Sequence, residues 1–333
     1  MEFPVTLAKL DETATLNETL TKLIQGAILD QRPDRVPWPP GDTLQKRWLP
    51  ANNGDALGIN TVISGTQDEY NYIPVQAIVE RAKTVVHDEN GQFLDRLDRI
   101  NKVTSDVLFF EHENSIYAAI YMNLTKSSIS KINYIIKDLF VEEIWGSVTI
   151  LPTDFNIQDN TYYWLLNKFI MDDQIISENP SMSIQTFTGY SGGAAVDNGH
   201  TVVGEGERIS ALLGTLAFIF GDDSFKSLKL HVCVNDNNIL FELEHTGNVR
   251  IYEFDGEFFA GNIEHEKILL TLLLYKTIIP TILNEYLAAV GQNQWDNTSK
   301  RNFITSVGQM IIDRVRSEIN EQDNLGDQLE GIV

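Results

Sequence analysis

The sequence predicts an α+β (mixed α/β) protein with two sheet-bearing regions, and three patterns carry that expectation. Leu228, Leu230, Val232 and Val234 alternate with Lys229, His231 and Cys233. The alternation resumes at Phe241 and Leu243 and again at Val249 and Ile251, with turn residues Asp236, Asn237 and Gly247 between. A period of two over three short runs is an antiparallel meander, here spanning 228–254. Two apolar runs, Val107 to Phe110 and Ser115 to Met122, flank Glu111-His112-Glu113-Asn114 and form a hairpin pattern. Finally, apolar residues recur every three or four positions within Thr15–Ile28, Ser128–Phe140 and Thr298–Glu318, the mark of amphipathic helices.

The remaining elements follow in chain order. Glu2 and Pro4 open a polar stretch to which no strand is assigned. Thr15 with Glu18 three residues on makes a capping box for the first helix. Residues 33–54 hold Pro33, Pro37, Pro39, Pro40 and Pro50 around Trp38 and Trp48, an irregular connection that two indoles pin to the body. Ile59 to Ile63 predicts a short strand, and Ile73 to Thr84 fits either a helix opened by Pro74 or a strand. Gln92 to Asn101 predicts a charged helix. Beyond the hairpin, a helix over 128–140 capped by Ser127 or Ser128 leads to a short strand near Val148 and a helix from Tyr162 to Met171.

A polar stretch near Pro180 sets the expected boundary between a mixed α/β domain (1–180) and an α+β domain (181–320). The residues after it, 321–333, form an acidic tail expected to fray. Gly189-Tyr190-Ser191-Gly192-Gly193-Ala194-Ala195 reads as a turn or surface loop, with a mobile lid or peptide-binding edge as its functional counterpart, and Ala194 to Gly206 reads as polar loop. Glu264 to Val290 is one apolar helix or two meeting at Pro280. Because Lys276, Pro280 and Glu285 interrupt it, it predicts a buried core helix and no membrane span.

With 25 Lys plus Arg against 47 Asp plus Glu, the chain carries a net charge of -22, which disfavours nucleic acid unless a basic patch survives. The same charge suits a basic protein surface. Cys233 is the only cysteine and no leader pattern opens the chain, so a cytoplasmic protein without disulfides is expected.

Four constellations have residue types that could carry chemistry. Arg32, Arg35, Arg47, Arg81, Arg96 and Arg99 would hold phosphate if they converged on one concave face. Asp106, Glu111 and Glu113 around the hairpin offer carboxylates for metal-dependent phosphodiester cleavage. Ser191 satisfies the bare GxSxG string, with His200 as base, although the strand-turn-helix context of a nucleophile elbow is missing. His231, Cys233 and His245 would form a soft-metal trio if neighbouring strands brought them together. No dinucleotide or P-loop fingerprint is present, so no cofactor is expected. The resulting expectation is a non-catalytic interaction or regulatory component of a multiprotein assembly. It would work through its acidic surface and an exposed sheet or helix face, with the C-terminal helices available for a homodimer. Nucleic-acid binding or cleavage and serine hydrolysis stand as alternatives.

Overall fold

Strand β1 (Phe3–Leu10) is the seam of the molecule. Its residues Phe3 to Val5 pair with β13 (Val249–Asp255), and Thr6 to Leu10 pair with β6 (Ser115–Ile120). Ala8 to Leu10 also take the short β7 (Val148–Ile150). From β6 the sheet runs outward through β5 (Ile100–His112) and β4 (Glu69–Ala82) to β2 (Lys46–Pro50), and β3 (Asn60–Ile63) also lies against β4. From β13 it runs the other way through β12 (Asn237–Glu244), β11 (Ser224–Val234) and β9 (Ser181–Ala194) to the edge strand β10 (Asp197–Glu205). The short β8 (Ile175–Glu178) pairs with β9. All thirteen strands pair antiparallel. This computed structural model describes residues 2–52, 55–63, 69–122, 129–194, 197–206, 213–256 and 263–330.

The α+β architecture expected from the sequence is the one observed, with a sheet-and-helix N-terminal region and a C-terminal antiparallel sheet joined by long helices. The helices are α1 (Leu16–Gln25), α2 (Arg96–Arg99), α3 (Ile129–Leu139), α4 (Glu142–Trp145), α5 (Asp159–Met171), α6 (Leu213–Phe220), α7 (Ile263–Leu273), α8 (Ile279–Gly291) and α9 (Asn297–Glu330). Helix α1 starts where the capping box places it. Thr15 Oγ1 accepts the N–H of Glu18, and the Glu18 carboxylate turns back to accept the N–H of Ala14. The expected caps Ser127 and Ser128 of α3 lie outside the described residues.

Two cores result. One face of the N-terminal sheet, with Val75, Val79, Phe109 and Ala118, packs on Leu23 of α1, Ile132, Ile135 and Leu139 of α3, and Trp145. Trp48 sits at the centre of this core, with ring centroids 5.1 Å from Phe140 and 5.7 Å from Phe109. The other face, with Tyr72, Phe110 and Tyr117, joins the inner face of the C-terminal sheet in a second core closed by α5, α7 and α8. Tyr275 links the halves: its ring stacks 5.9 Å from Phe110, and its hydroxyl donates to the Gly247 carbonyl at 3.1 Å. Position 180 lies in the β8–β9 turn, and the sheet is continuous across it.

Several local expectations are corrected. The first ten residues hold the strand that joins both halves; its partners lie more than a hundred residues away, so no adjacent turn announces it. Ile73 to Ala82 resolves as part of strand β4: β3 and β2 share one of its edges, pairing 69–72 and 75–79, and Pro74 sits between them on that edge, opposite Leu108 of β5 on the other. The charged helix at 92–101 shrinks to the single turn α2, because Ile100 onward pairs with β4. Within the stretch expected as polar loop, Asp197–Glu205 forms the edge strand. The segment expected to fray is helical as far as Glu330.

Around Pro280 the chain forms two helices, α7 and α8, with a π-type turn over Leu274–Ile278 just before the proline. A widened turn is a known accommodation for the amide hydrogen that proline lacks. The stretch Glu266–Gly291 is long and apolar enough by composition to cross a membrane, and most of it is buried.

Candidate functional site

The six arginines are only partly gathered, and those that are gathered are already paired. Arg47 forks onto Asp30, with Nε 3.0 Å and 3.1 Å from its two oxygens. Arg96 bridges Asp42 and Glu80. Arg99 donates to Asp42 at 2.6 Å and stacks its guanidinium 5.0 Å from the Trp38 ring. Arg81 shares Asp138 with Lys46 and lies 3.9 Å over Tyr134. Arg32 donates to the Trp38 carbonyl at 2.7 Å, and Arg35 is exposed on the same loop.

The Arg47 hydrogen bonds hold the Asp30 carboxyl below the usual carboxylate range. Burial pushes Asp42 the other way, but Arg99 and Arg96 outweigh it and its carboxyl is lowered as well. The arrangement clamps the proline- and tryptophan-rich loop onto the sheet edge, and a phosphate would have to displace internal carboxylates. Both indoles are pinned as expected: Trp38 is 2% exposed and Trp48 1%.

The hairpin carboxylates do not meet. Asp106 and Glu111 are five residues apart on β5, so they point to opposite faces about 17 Å apart along the strand. The Asp106 carboxylate is held by Lys267 at 3.0 Å, and Glu113 sits in the turn at a φ of 47°.

The metal trio is also separated. His231 lies opposite Leu240, and Cys233 opposite Asn238. His245 follows β12, and its N–H donates to the Lys226 carbonyl at 2.8 Å. That position is five residues along β11 from His231, about 17 Å. The register is set by the tight turn at Asn235 and Asp236, which sequence spacing alone left undetermined. Among the described residues no three His, Cys, Asp or Glu side chains come together to hold a metal ion.

Ser191 lies within β9, opposite Val203 and Ser227. It is on no elbow. Its glycine neighbours have a packing reason: a Cβ on Gly192 would come within 2.3 Å of the Phe218 ring and 2.6 Å of the Ser224 carbonyl, so helix α6 rests directly on the strand backbone. His200 is on β10, and its side chain lies outside what the structure describes.

Ser191 instead belongs to a polar ladder across the outer face of the C-terminal sheet. The Ser227 hydroxyl donates to Glu242 at 2.6 Å, so Ser191 Oγ, 2.7 Å from Ser227 Oγ, supplies its own proton to Ser227. Tyr252 donates to the other Glu242 oxygen at 3.0 Å. Lys229 lies 3.8 Å over the Tyr252 ring and pairs with Glu205 at 2.7 Å. That pairing holds the Glu205 carboxyl below its usual range. Burial, followed by the Glu242 charge, raises the Tyr252 phenol, which therefore stays a neutral donor.

This ladder crosses β10, β9, β11, β12 and β13 in turn. Beside it runs an open groove of about 550 Å³ bounded by Thr186, Thr188, Lys229, His231, Leu240 and Glu253. On β11 and β12 the apolar inward residues are buried, while outward Lys229, His231, Cys233, Leu240 and Glu242 are half-exposed and the ladder's Ser227 is buried; among the described elements no helix covers this row. Apart from His231 and Cys233, the candidate residues chosen from sequence did not include this row. The alternation that predicted the meander marks it, because every second residue faces away from the core.

No protein-family model, curated protein or solved structure matches this chain.

Proposed function

We propose that the protein is a non-catalytic binding component of a multiprotein assembly, engaging a basic protein surface through the open outer face of its C-terminal sheet. The observation that carries this reading is the face itself, whose side chains are held in a fixed ladder with no helix above them among the described elements. Preorganised polar groups lose little side-chain entropy when a partner docks. The carboxylates of Glu205, Glu242, Glu244, Glu253 and Asp255 outnumber the bases Lys226, Lys229 and Arg250 on these strands, in line with the net charge of -22. Such a surplus steers and selects a basic partner.

The test is a photo-cross-linking residue placed at Leu240, or at the exposed helical position Lys131 as control, in the intact chain in its native cell. A discrete heterologous adduct is expected from Leu240 only, and it should be lost when Glu253→Lys and Asp255→Lys reverse the charge. Equal labelling from both positions, or an adduct indifferent to the reversal, would end this reading.

A further inference from the structure

Helix α9 is 34 residues long, which at 1.5 Å per residue is about 51 Å. Among its described side chains, those that pack within the fold lie in its first half. Phe303 and Val307 are buried, Ile304 and Ile311 pack against the second core, and Lys300 pairs with Asp222 at 2.6 Å. Gly308 lies beneath the Phe220 ring, where a Cβ would come within 2.6 Å. From Ile312 to Asn320 every side chain is exposed.

This exposed stretch still carries an apolar stripe. Gly308, Ile312, Val315 and Ile319 follow one another at spacings of three and four, on one face of the helix. Ile312 is 46% exposed, Val315 40% and Ile319 52%, and the stripe begins at Phe220, itself 52% exposed. An isolated helix with such a stripe is marginal in water, so burying the stripe would stabilise it.

The charge along α9 selects what covers it. Residues 297–316 carry Lys300, Arg301, Arg314 and Arg316 against Asp313 alone. After Arg316 the sequence has Glu318, Glu321, Asp323, Asp327 and Glu330 and no base. A uniformly acidic or basic partner would complement only one half, and a parallel second copy would place acid on acid. An antiparallel second copy turned about Ile319 sets positions 321–323 of each helix, which hold Glu321 and Asp323, beside Arg314 and Arg316 of the other.

We propose that α9 is the self-association element of this protein, pairing antiparallel with α9 of a second copy about a two-fold axis near Ile319. The contact is isologous and closed, so it makes a dimer and not a filament. It lies on the helical side of the molecule and does not depend on the reading of the sheet face. The two proposals fail separately, because one is read by heterologous adducts and the other by mass.

The experiment uses the full chain. Sedimentation equilibrium from about 1 to 100 µM, the range in which interfaces of modest size associate, is expected to give a mass approaching twice 37.6 kDa. The exposed-site double variant Val315→Glu/Ile319→Glu should remain monomeric throughout, with unchanged far-UV circular dichroism. Orientation is read in a Cys233→Ser background, where Ile319→Cys should form an intermolecular disulfide under mild oxidation and Ile312→Cys should not, because its partner position lies more than a helical turn away along the axis. A wild-type monomer at every concentration overturns the proposal, as does a dimer that survives the double variant. Equal cross-linking at 312 and 319 overturns the antiparallel arrangement.

Discussion

The two halves of the sheet use the same antiparallel pairing and end in opposite environments. In the N-terminal half every residue from Ile116 to Ile120 of β6 is buried, as are the four consecutive residues Val107 to Phe110 of β5. That is possible only with helices on both faces: α1, α3 and α4 on one, and the segment around Tyr275 on the other. In the C-terminal half burial alternates along β11 and β12, because the described helices reach the inner face alone. Strand pairing therefore says little about surface; the number of covering layers decides whether a strand is core throughout or offers every second residue to a partner.

The largest expected effect comes from placing one charge at comparable positions in the two halves. Ala118→Asp puts an unpaired carboxylate at a fully buried site between layers and should cost several kcal/mol, enough to unfold a domain of ordinary stability. Cys233→Asp, on the open face, should fold with a denaturation midpoint close to wild type. Equal loss in chemical denaturation would show that the outer face is covered after all.

Removal of side-chain volume sharpens the same contrast. Phe109→Ala should cost about 3–5 kcal/mol, whereas Leu240→Ala, from a half-exposed site, should cost less than about 1 kcal/mol. Urea titrations of both variants supply the comparison.

The two halves also differ in how they use ion pairs. Asp138 is buried at the N-terminal sheet edge between Lys46 and Arg81, so Asp138→Ala strands a buried ammonium and should cost about 3 kcal/mol or more. Glu205, 68% exposed, pairs with Lys229 at the other edge, and Glu205→Gln should change stability by less than about 1 kcal/mol.

Acid should release the N-terminal clamp. Asp30 and Asp42 have folded pKa values below their unfolded ones, so their contribution is complete above about pH 4. It is lost as pH falls through the lowered folded values. Tryptophan fluorescence titrated in wild type and in Trp38→Phe should show an acid transition that the variant lacks, because Trp38 is the ring beneath Arg99. A transition of equal size in both would place the acid-sensitive step elsewhere.

Elements built from near neighbours were legible in the chain. Helix α1 and its cap, the β5–β6 hairpin, α3 and the meander each depend on periodicity and turn residues within a few positions, and each lies within a few residues of where those signals put it. What the sequence by itself determined was thus the identity of these locally coded elements. Only the tertiary structure decided the rest. Phe3–Leu10 became the central seam because its partners, 115–120 and 249–251, are brought to it by the fold. Arg47, Arg81, Arg96 and Arg99 became clamps because Asp30, Asp42, Glu80 and Asp138 arrive from four separate segments. His231 and His245 were parted by a strand register, and the outer row at Lys229 and Glu242 was left open by the described helices. Pairing across more than a hundred residues, and the supply of a covering layer, are properties of the assembled chain. No local pattern encodes them, since the same alternating strand is compatible with either environment until its neighbours are in place.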